Sequence, residues 1–487
     1  MNLFAQAYSN RIHDPSHILL SDADHDYTLT DVDVISSQVY GSLKARGIGR
    51  ENVVMILLPR CALTGCVFFG ILKAGACAVI VDAGASEDYR RFFLEDAGPA
   101  AVIAEDADLV TTCLPDGEKC PYILTVREIM ESEAVEGWVE PDLHDAAAVV
   151  YTSSSSGRPK GAVHEYGDID LLLTYSFGYS GGTYDYAHER CALAAQLYDV
   201  ATITAMIEAL YAASYIHVIS REICRDVDLY AREIRERELT TAMLMPHMTD
   251  LKLLSEIPSL EYLFVAFDII EHVYIPGFPI INCYGMSESF LSVASFPIDR
   301  DYEITPVGRP NAFRGTCLIG EDGQPVAEGE IGEVAFPNPY FRGYLHLPEL
   351  TESAMEGGLY HTGDMGIINA QGNLVILGRK EDLLSTEEGY IIPSLVKSAV
   401  GRSYPGTLAV RALAGEDGCH IVVFYVEDGG RAFDVCCVRA ELAGRLPDYM
   451  MPTDYIRLER MPLLNSGKLN RIRLREIFEE QGVNLCG

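Results

Sequence analysis

Short apolar runs recur along the chain between longer stretches of helical periodicity, and no other feature limits the fold so strongly. Asn52 to Leu58, Ala100 to Ala104, Ala146 to Tyr151 and Tyr215 to Ile219 are such runs, while Asp226 to Glu238 has a helical pattern. Apolar runs of this length suit strands covered on both faces, so the alternation predicts an α/β fold of mixed sheets covered by helices. The most apolar segment, Leu63 to Val81, contains Lys73 and three glycines. It reads as helix, turn and buried strand, not as a membrane span.

After the turn-like Gly308-Arg309-Pro310 the character changes. From Arg314 to Leu377 the segments are short, punctuated by glycine and strand-like, which predicts a small β-rich layer. The charged run Gly378 to Asp382 reads as a linker, and the roughly one hundred residues beyond it suit one small α+β domain. With 487 residues the chain exceeds what one core supports. The expected division is a large N-terminal part over 1–380 and a small, mobile C-terminal part over 381–487.

A formal charge of −34 argues against a nucleic-acid partner and disfavours an anionic membrane surface, because phosphate binding needs a basic face and no Lys/Arg cluster supplies one. The start, Met1-Asn2-Leu3-Phe4, lacks a basic region before an apolar one, so no signal peptide is expected. Thirteen cysteines, an odd number without CxxC or zinc-type spacing, fit reduced thiols in a cytoplasmic protein.

The segment richest in chemistry runs from Tyr151 to Gly161, directly after the apolar "AAAVV". Thr152, Ser153, Ser154, Ser155, Ser156 and Gly157 offer hydroxyls and accessible backbone N–H groups to phosphate oxygens, and Lys160 adds a positive charge. The Gly-Lys-Ser/Thr ending of a Walker loop is missing. Alone, the segment reads equally well as a Ser-rich linker.

In company it resembles the adenylate-forming superfamily of peptide-synthetase adenylation domains, acyl-CoA ligases and luciferases. The resemblance covers nearly the whole chain, in the family's order. "LKAGACAVIVDAGASEDYRRFFLEDAG" (Leu72 to Gly98) looks like the stretch that typifies peptide-synthetase adenylation domains. After it come "NCYGMSES" (Asn282 to Ser289), "GEIGEVAF" with "YFRGY" (Gly329 to Tyr344) and "YHTGD" (Tyr360 to Asp364). "GRKED" (Gly378 to Asp382), "LPDYMMP" (Leu446 to Pro452) and "NSGKLNR" (Asn465 to Arg471) complete the set.

The resemblance implies ATP and Mg²⁺ as cofactors and assigns roles residue by residue. Tyr284 stacks on the base within a motif that includes Gly285 and Ser287, and Glu288 holds Mg²⁺. Asp364 accepts hydrogen bonds from the ribose hydroxyls, and Arg379 approaches the same sugar. Lys468 is the catalytic residue, a cation between the attacking carboxylate and the α-phosphate. Glu381 is the hinge about which the lid turns.

Asp199, in the apolar "LYDVATITA", needs a counter-cation if buried, and in amino-acid adenylation domains the matching Asp holds the substrate's ammonium group. The other matched pocket positions are Val200, Ile203, Leu244, Phe264, Ala266, Cys283, Leu291 and Ser292. That lining is small, mostly apolar and without a second charge, which implies a small or medium neutral amino acid such as proline, alanine or valine.

The match departs from the family at Ser154, usually glycine, and at Tyr166, where many members have histidine. Ala266-Phe267-Asp268 replaces a glycine-rich turn, Glu381 replaces aspartate, and Glu387-Glu388 replaces a glycine pair. The chain stops soon after the last motif, so the expected acceptor is a separate carrier protein bearing phosphopantetheine. Arg471, Arg473 and Arg475 are the candidate basic patch for its docking. The rival expectations are an acyl- or aryl-CoA ligase of the same fold and a non-catalytic nucleotide-binding relative.

Overall fold

The computed structural model describes residues 6–7, 14, 16–114, 122–152, 159–179, 188–244, 251–266, 269–290, 292–310, 315–404, 406–415, 418–427, 432–463 and 469–481. Two large sheets dominate. One has seven strands, in the order Phe341–Tyr344, Lys160–Glu165, Ala146–Thr152, Cys77–Asp82, Val53–Leu58, Ala101–Ala104 and Tyr122–Thr125. Its last five strands run parallel, and the first two pair antiparallel.

The other sheet has eight strands. Ala294–Pro297, Ile280–Tyr284, Tyr262–Val265, Thr241–Leu244, Arg190–Leu193, Tyr215–Val218, Ile18–Ser21 and Asp26–Thr28 lie side by side, parallel except at the two edges. The short apolar runs thus become strands of the mixed sheets that the sequence predicts, most of them parallel to their neighbours. Asp226 caps the helix Val227–Glu236 by accepting from the amides of Asp228 and Leu229, within a residue or two of the expected bounds.

Between the sheets lies the main core. The helix Leu63–Lys73 is buried on all sides apart from its first residue, as an all-round apolar helix must be. It packs with Leu29–Lys44, Tyr166–Leu173 and Val200–Ala212 in one apolar cluster. The Lys73 ammonium, inside this layer, is held by Asp33 and the Ser37 hydroxyl.

The predicted β-rich layer is a four-stranded antiparallel sheet of Cys317–Ile319, Ile331–Phe336, Tyr360–Ile368 and Leu374–Arg379. Leu374–Arg379 runs into a single tight turn at Lys380–Asp382, so the charged run is the end of a strand followed by a turn. Beyond it come the hairpin Leu384–Thr386 and Gly389–Ile391, helix Pro393–Ser403, and a three-stranded sheet of Leu408–Gly415, Gly418–Val426 and Asp454–Leu458. Helix Arg471–Glu479 closes the described chain and packs Leu474 and Phe478 on that sheet. No helix among the described residues is long and apolar enough to cross a membrane.

Candidate active site

In parallel sheets, ligands gather outside the carboxyl ends of the strands, and most of the matched residues converge at such an edge. Tyr284 ends the strand Ile280–Tyr284, and its hydroxyl donates to Asp364 Oδ2 at 2.7 Å. Burial, with Asp364 alongside, raises the Tyr284 pKa well above the usual phenol range, so the hydroxyl stays a donor. Asp364 and Arg379 face each other across two antiparallel strands, and Arg379 Nη1 donates to Asp364 Oδ1 at 3.1 Å and to the Thr362 carbonyl at 2.8 Å. Gly363, at φ 72°, allows this fit: a Cβ there would lie 2.7 Å from Arg379 Nη2. Each Asp364 oxygen has a further lone pair, enough to accept from two adjacent hydroxyls.

Glu288 lies in the loop that follows Tyr284, after Gly285 and Ser287. Tyr344 donates to Glu288 Oε1 at 2.6 Å and lies 3.1 Å from the Tyr360 hydroxyl. The Tyr344 phenol is pushed well up by burial and by the Glu288 charge. Among the described residues no lysine or arginine forms an ion pair with Glu288. A carboxylate anchored through one oxygen by a neutral donor is a suitable hard-oxygen ligand for Mg²⁺. Lys160 places its ammonium 5.8 Å from the centre of the Tyr344 ring.

Thr152 and Lys160 pair in register, so the strands before and after the hydroxyl-rich segment meet at its ends. Ser153, Ser154, Ser155, Ser156, Gly157, Leu291 and Lys468 lie outside the described residues. The bridge between Leu463 and Leu469 brackets the segment that holds Lys468. Glu381, exposed in the turn Lys380–Asp382, comes within 3.9 Å of Arg471.

At the acid-binding end, Asp199 is the residue just before helix Val200–Ala212, and its side chain does not cap the first-turn amides. Its Oδ2 accepts instead from the Gln196 amide at 3.3 Å. Val200 and Ile203 occupy the first turns of that helix. Leu244, Phe264 and Ala266 lie at or near the carboxyl ends of two neighbouring parallel strands, Cys283 sits one strand further, and Ser292 follows in the loop. Leu244, Phe264, Ala266 and Cys283 therefore belong to one edge of one sheet.

The AMP-binding enzyme family model matches residues 9–345 of the chain. The chain belongs to this family. Its members are the adenylate-forming ligases, so the shared chemistry of this site is ATP-dependent adenylation. Malpinin synthetase of Mortierella alpina is 26% identical over 94% of the chain, and bacitracin synthase 1 of Bacillus licheniformis is 25% identical over 94%. The chain spans 6% and 9% of the lengths of these two relatives. Among solved structures, an anthranilate CoA ligase in complex with anthranoyl-AMP matches with a TM-score of 0.85 at 20% identity, covering 98% of this chain and 97% of the other. An O-succinylbenzoate CoA synthetase from Bacillus subtilis, in complex with ATP and magnesium ion, matches at 0.81 and 22%, covering 97% and 99%. These structures establish the two-domain adenylate-forming fold for the chain.

One expectation needs correction. The proposed basic patch is neutralised: Arg471 pairs with Asp382 at 2.8 Å, Arg473 with Glu476 and Glu480 at 2.9 Å, and Arg475 with Glu479 at 3.0 Å. The helix carries its own carboxylates three, four and seven residues after its arginines, which leaves little net positive field. Tyr166, at the family's histidine position, turns into the core, and its hydroxyl donates to the Ala76 carbonyl at 3.0 Å.

The acid end also has a carboxyl that the matched positions omit. Glu208 lies on helix Val200–Ala212, four residues after Thr204 and eight after Val200, receives the Ser176 hydroxyl, and adds its charge to the burial that lifts the Cys283 thiol to about 12. Its spacing from Val200 is the signal that marks it. Desolvation raises Glu208 from 4.5 to about 7. The folded state therefore binds the proton more tightly than the unfolded state, and stability falls as pH rises from about 4.5 to about 7, then levels off. Glu208→Gln is expected to gain about 1–3 kcal/mol relative to the parent at pH 8, and nothing at pH 4. Denaturant melts at the two pH values check this.

Proposed function

We propose that the chain adenylates the carboxyl group of a small or medium neutral amino acid, of the proline, alanine or valine type. The acyl group then passes to the phosphopantetheine thiol of a separate carrier protein. The observation that carries the amino-acid reading is the place of Asp199: a carboxylate just before helix Val200–Ala212, at the position matched to the Asp that meets the substrate ammonium in amino-acid adenylation domains, suits an α-ammonium group. The peptide-synthetase relatives support the same reading.

In the first half-reaction a substrate carboxylate oxygen attacks the α-phosphorus of ATP. A carboxyl–phosphate anhydride bond forms, the bond from the α-phosphorus to the bridging oxygen breaks, and pyrophosphate leaves with that electron pair. Asp364 and Arg379 hold the ribose, and the Tyr284 ring, oriented by its hydroxyl, lies against the base. Lys160 and the hydroxyls of the segment after Thr152 receive the phosphates. Glu288 would hold Mg²⁺, which neutralises phosphate charge when bound. Lys468 brings its ammonium between the two reacting anions. The part beyond residue 380 acts as the lid, turning near Glu381 between half-reactions.

One observation favours a second reading, an acyl- or aryl-CoA ligase. Arg60 feels the Asp199 charge, and Arg221, paired with Asp82 at 2.5 Å, contacts Gln196, which bonds Asp199. Cations of the chain itself thus supply part of the compensation that an ammonium group would otherwise give.

ATP–pyrophosphate exchange over the proteinogenic amino acids, D-alanine, and a set of aryl and fatty acids separates the readings. Exchange driven by one neutral amino acid and lost in Asp199→Ala is the expected result. Exchange driven only by an acid without an amino group would transfer the site to the second reading.

A further inference from the structure

Beneath the Glu288 loop lies a titratable pair that none of the matched motifs uses. His164, on strand Lys160–Glu165, and Asp168, in the first turn of helix Tyr166–Leu173, are both entirely buried. His164 Nδ1 lies 2.7 Å from Asp168 Oδ2, and its Nε2 lies 2.7 Å from the backbone carbonyl of Ser287. A carbonyl oxygen only accepts, so Nε2 carries a hydrogen and donates to Ser287. On its other side the imidazole is held by Asp168 in the first turn of the next helix, and its ring lies 4.4 Å from the Phe290 ring centre, so the ring has no room to turn.

The geometry on the far side of Glu288 gives this bond a purpose. Asn338 donates to the Glu288 carbonyl at 2.6 Å, and Tyr344 holds the carboxylate tip at 2.6 Å. The Ser287 carbonyl belongs to the peptide plane before the Glu288 Cα, and the Glu288 carbonyl to the plane after it. Because both planes are rigid, pinning both carbonyls sets φ and ψ of Glu288, and with them the direction in which its side chain leaves the backbone. We propose that the buried His164–Asp168 pair is a positioning device for Glu288, holding the Ser287 carbonyl so that the Glu288 carboxylate meets the metal of the nucleotide complex. This rests on the assignment of Glu288 to Mg²⁺ given above.

The test compares two amides at one position. The terminal nitrogen of His164→Gln reaches the place of Nε2 and keeps the bond to Ser287; that of His164→Asn reaches only the place of Nδ1 and loses it. ATP affinity is measured by calorimetry on the full chain, with and without Mg²⁺, alongside Glu288→Gln. The expected result is that His164→Gln keeps the Mg²⁺-dependent gain in affinity within about threefold, whereas His164→Asn loses it by about tenfold, on the scale of groups that orient metal ligands. Metal-free ATP affinity should stay the same in both. Equal Mg²⁺-dependent gains in the two variants overturn the proposal, as does an equal fall in metal-free affinity. If Glu288→Gln also leaves the gain intact, the metal assignment fails and the proposal falls with it; if Glu288→Gln removes the gain while the His164 variants do not, only the positioning role is lost.

Discussion

Lys468→Ala is expected to lower ATP–pyrophosphate exchange by about 10²–10³-fold while leaving thermal unfolding unchanged. The magnitude follows from what the site otherwise lacks. Asp364 and Glu288 bring negative charge toward a reaction between two anions, and Arg379 is already committed to Asp364 and the Thr362 carbonyl. Lys160 stands over the Tyr344 ring. A cation at the point of attack has to come from elsewhere, and "NSGKLNR" offers one next to a described anchor: Leu469 bridges to Leu463, and the Asn470 amide donates to the Pro462 carbonyl at 2.9 Å. Exchange at saturating ATP, with melting curves for both proteins, checks the prediction. A variant with near-parental exchange would remove Lys468 from the catalytic step.

Much of this organisation is legible in the sequence. Apolar runs became parallel strands because a strand covered on both faces has no polar alternative, and the glycine-punctuated stretch became a separate small sheet. The edge where Leu244, Phe264 and Tyr284 end was visible only through motif order, since no local pattern in "AMLM" or "YLFV" tells which strands are neighbours. His164 reads as one polar residue in "GAVHEY", and its worth depends on Asp168 across a strand-to-helix turn and on Ser287 more than a hundred positions away. Glu208 belongs to none of the matched motif positions and is marked only by the helix face that it shares with Val200 and Thr204. The arginines of "NRIRLREIFEE" show the opposite failure. Their partners Glu476, Glu479 and Glu480 stand at helical spacing in the sequence itself, which is enough to cancel the patch.

Gly308→Ala is expected to cost about 3–5 kcal/mol, near the upper end for a single substitution, because two separate strains coincide. At φ 103° the backbone lies where side chains are disfavoured, and a Cβ would stand 2.0 Å from the Ser295 carbonyl oxygen, a main-chain atom that cannot swing aside. Ser295 belongs to Ala294–Pro297, which pairs with the strand ending in Tyr284. Gly308 also accepts from the Leu374 amide at 2.8 Å, at the start of the strand ending in Arg379. The contact therefore sets the spacing between the sheet that supplies Tyr284 and the one that supplies Asp364 and Arg379. Forcing it apart should stretch the 2.7 Å bond between Tyr284 and Asp364 and weaken ATP binding beyond the loss of stability. Gly372→Ala is the control: its φ is 77°, but the nearest atom to an added Cβ is 3.9 Å away, so about 1 kcal/mol of backbone strain is all it should lose. Denaturant melts of both variants, with ATP titrations below their transitions, separate the two costs; equal losses would mean that the sheets yield at Gly308 and that the contact does not set the nucleotide site.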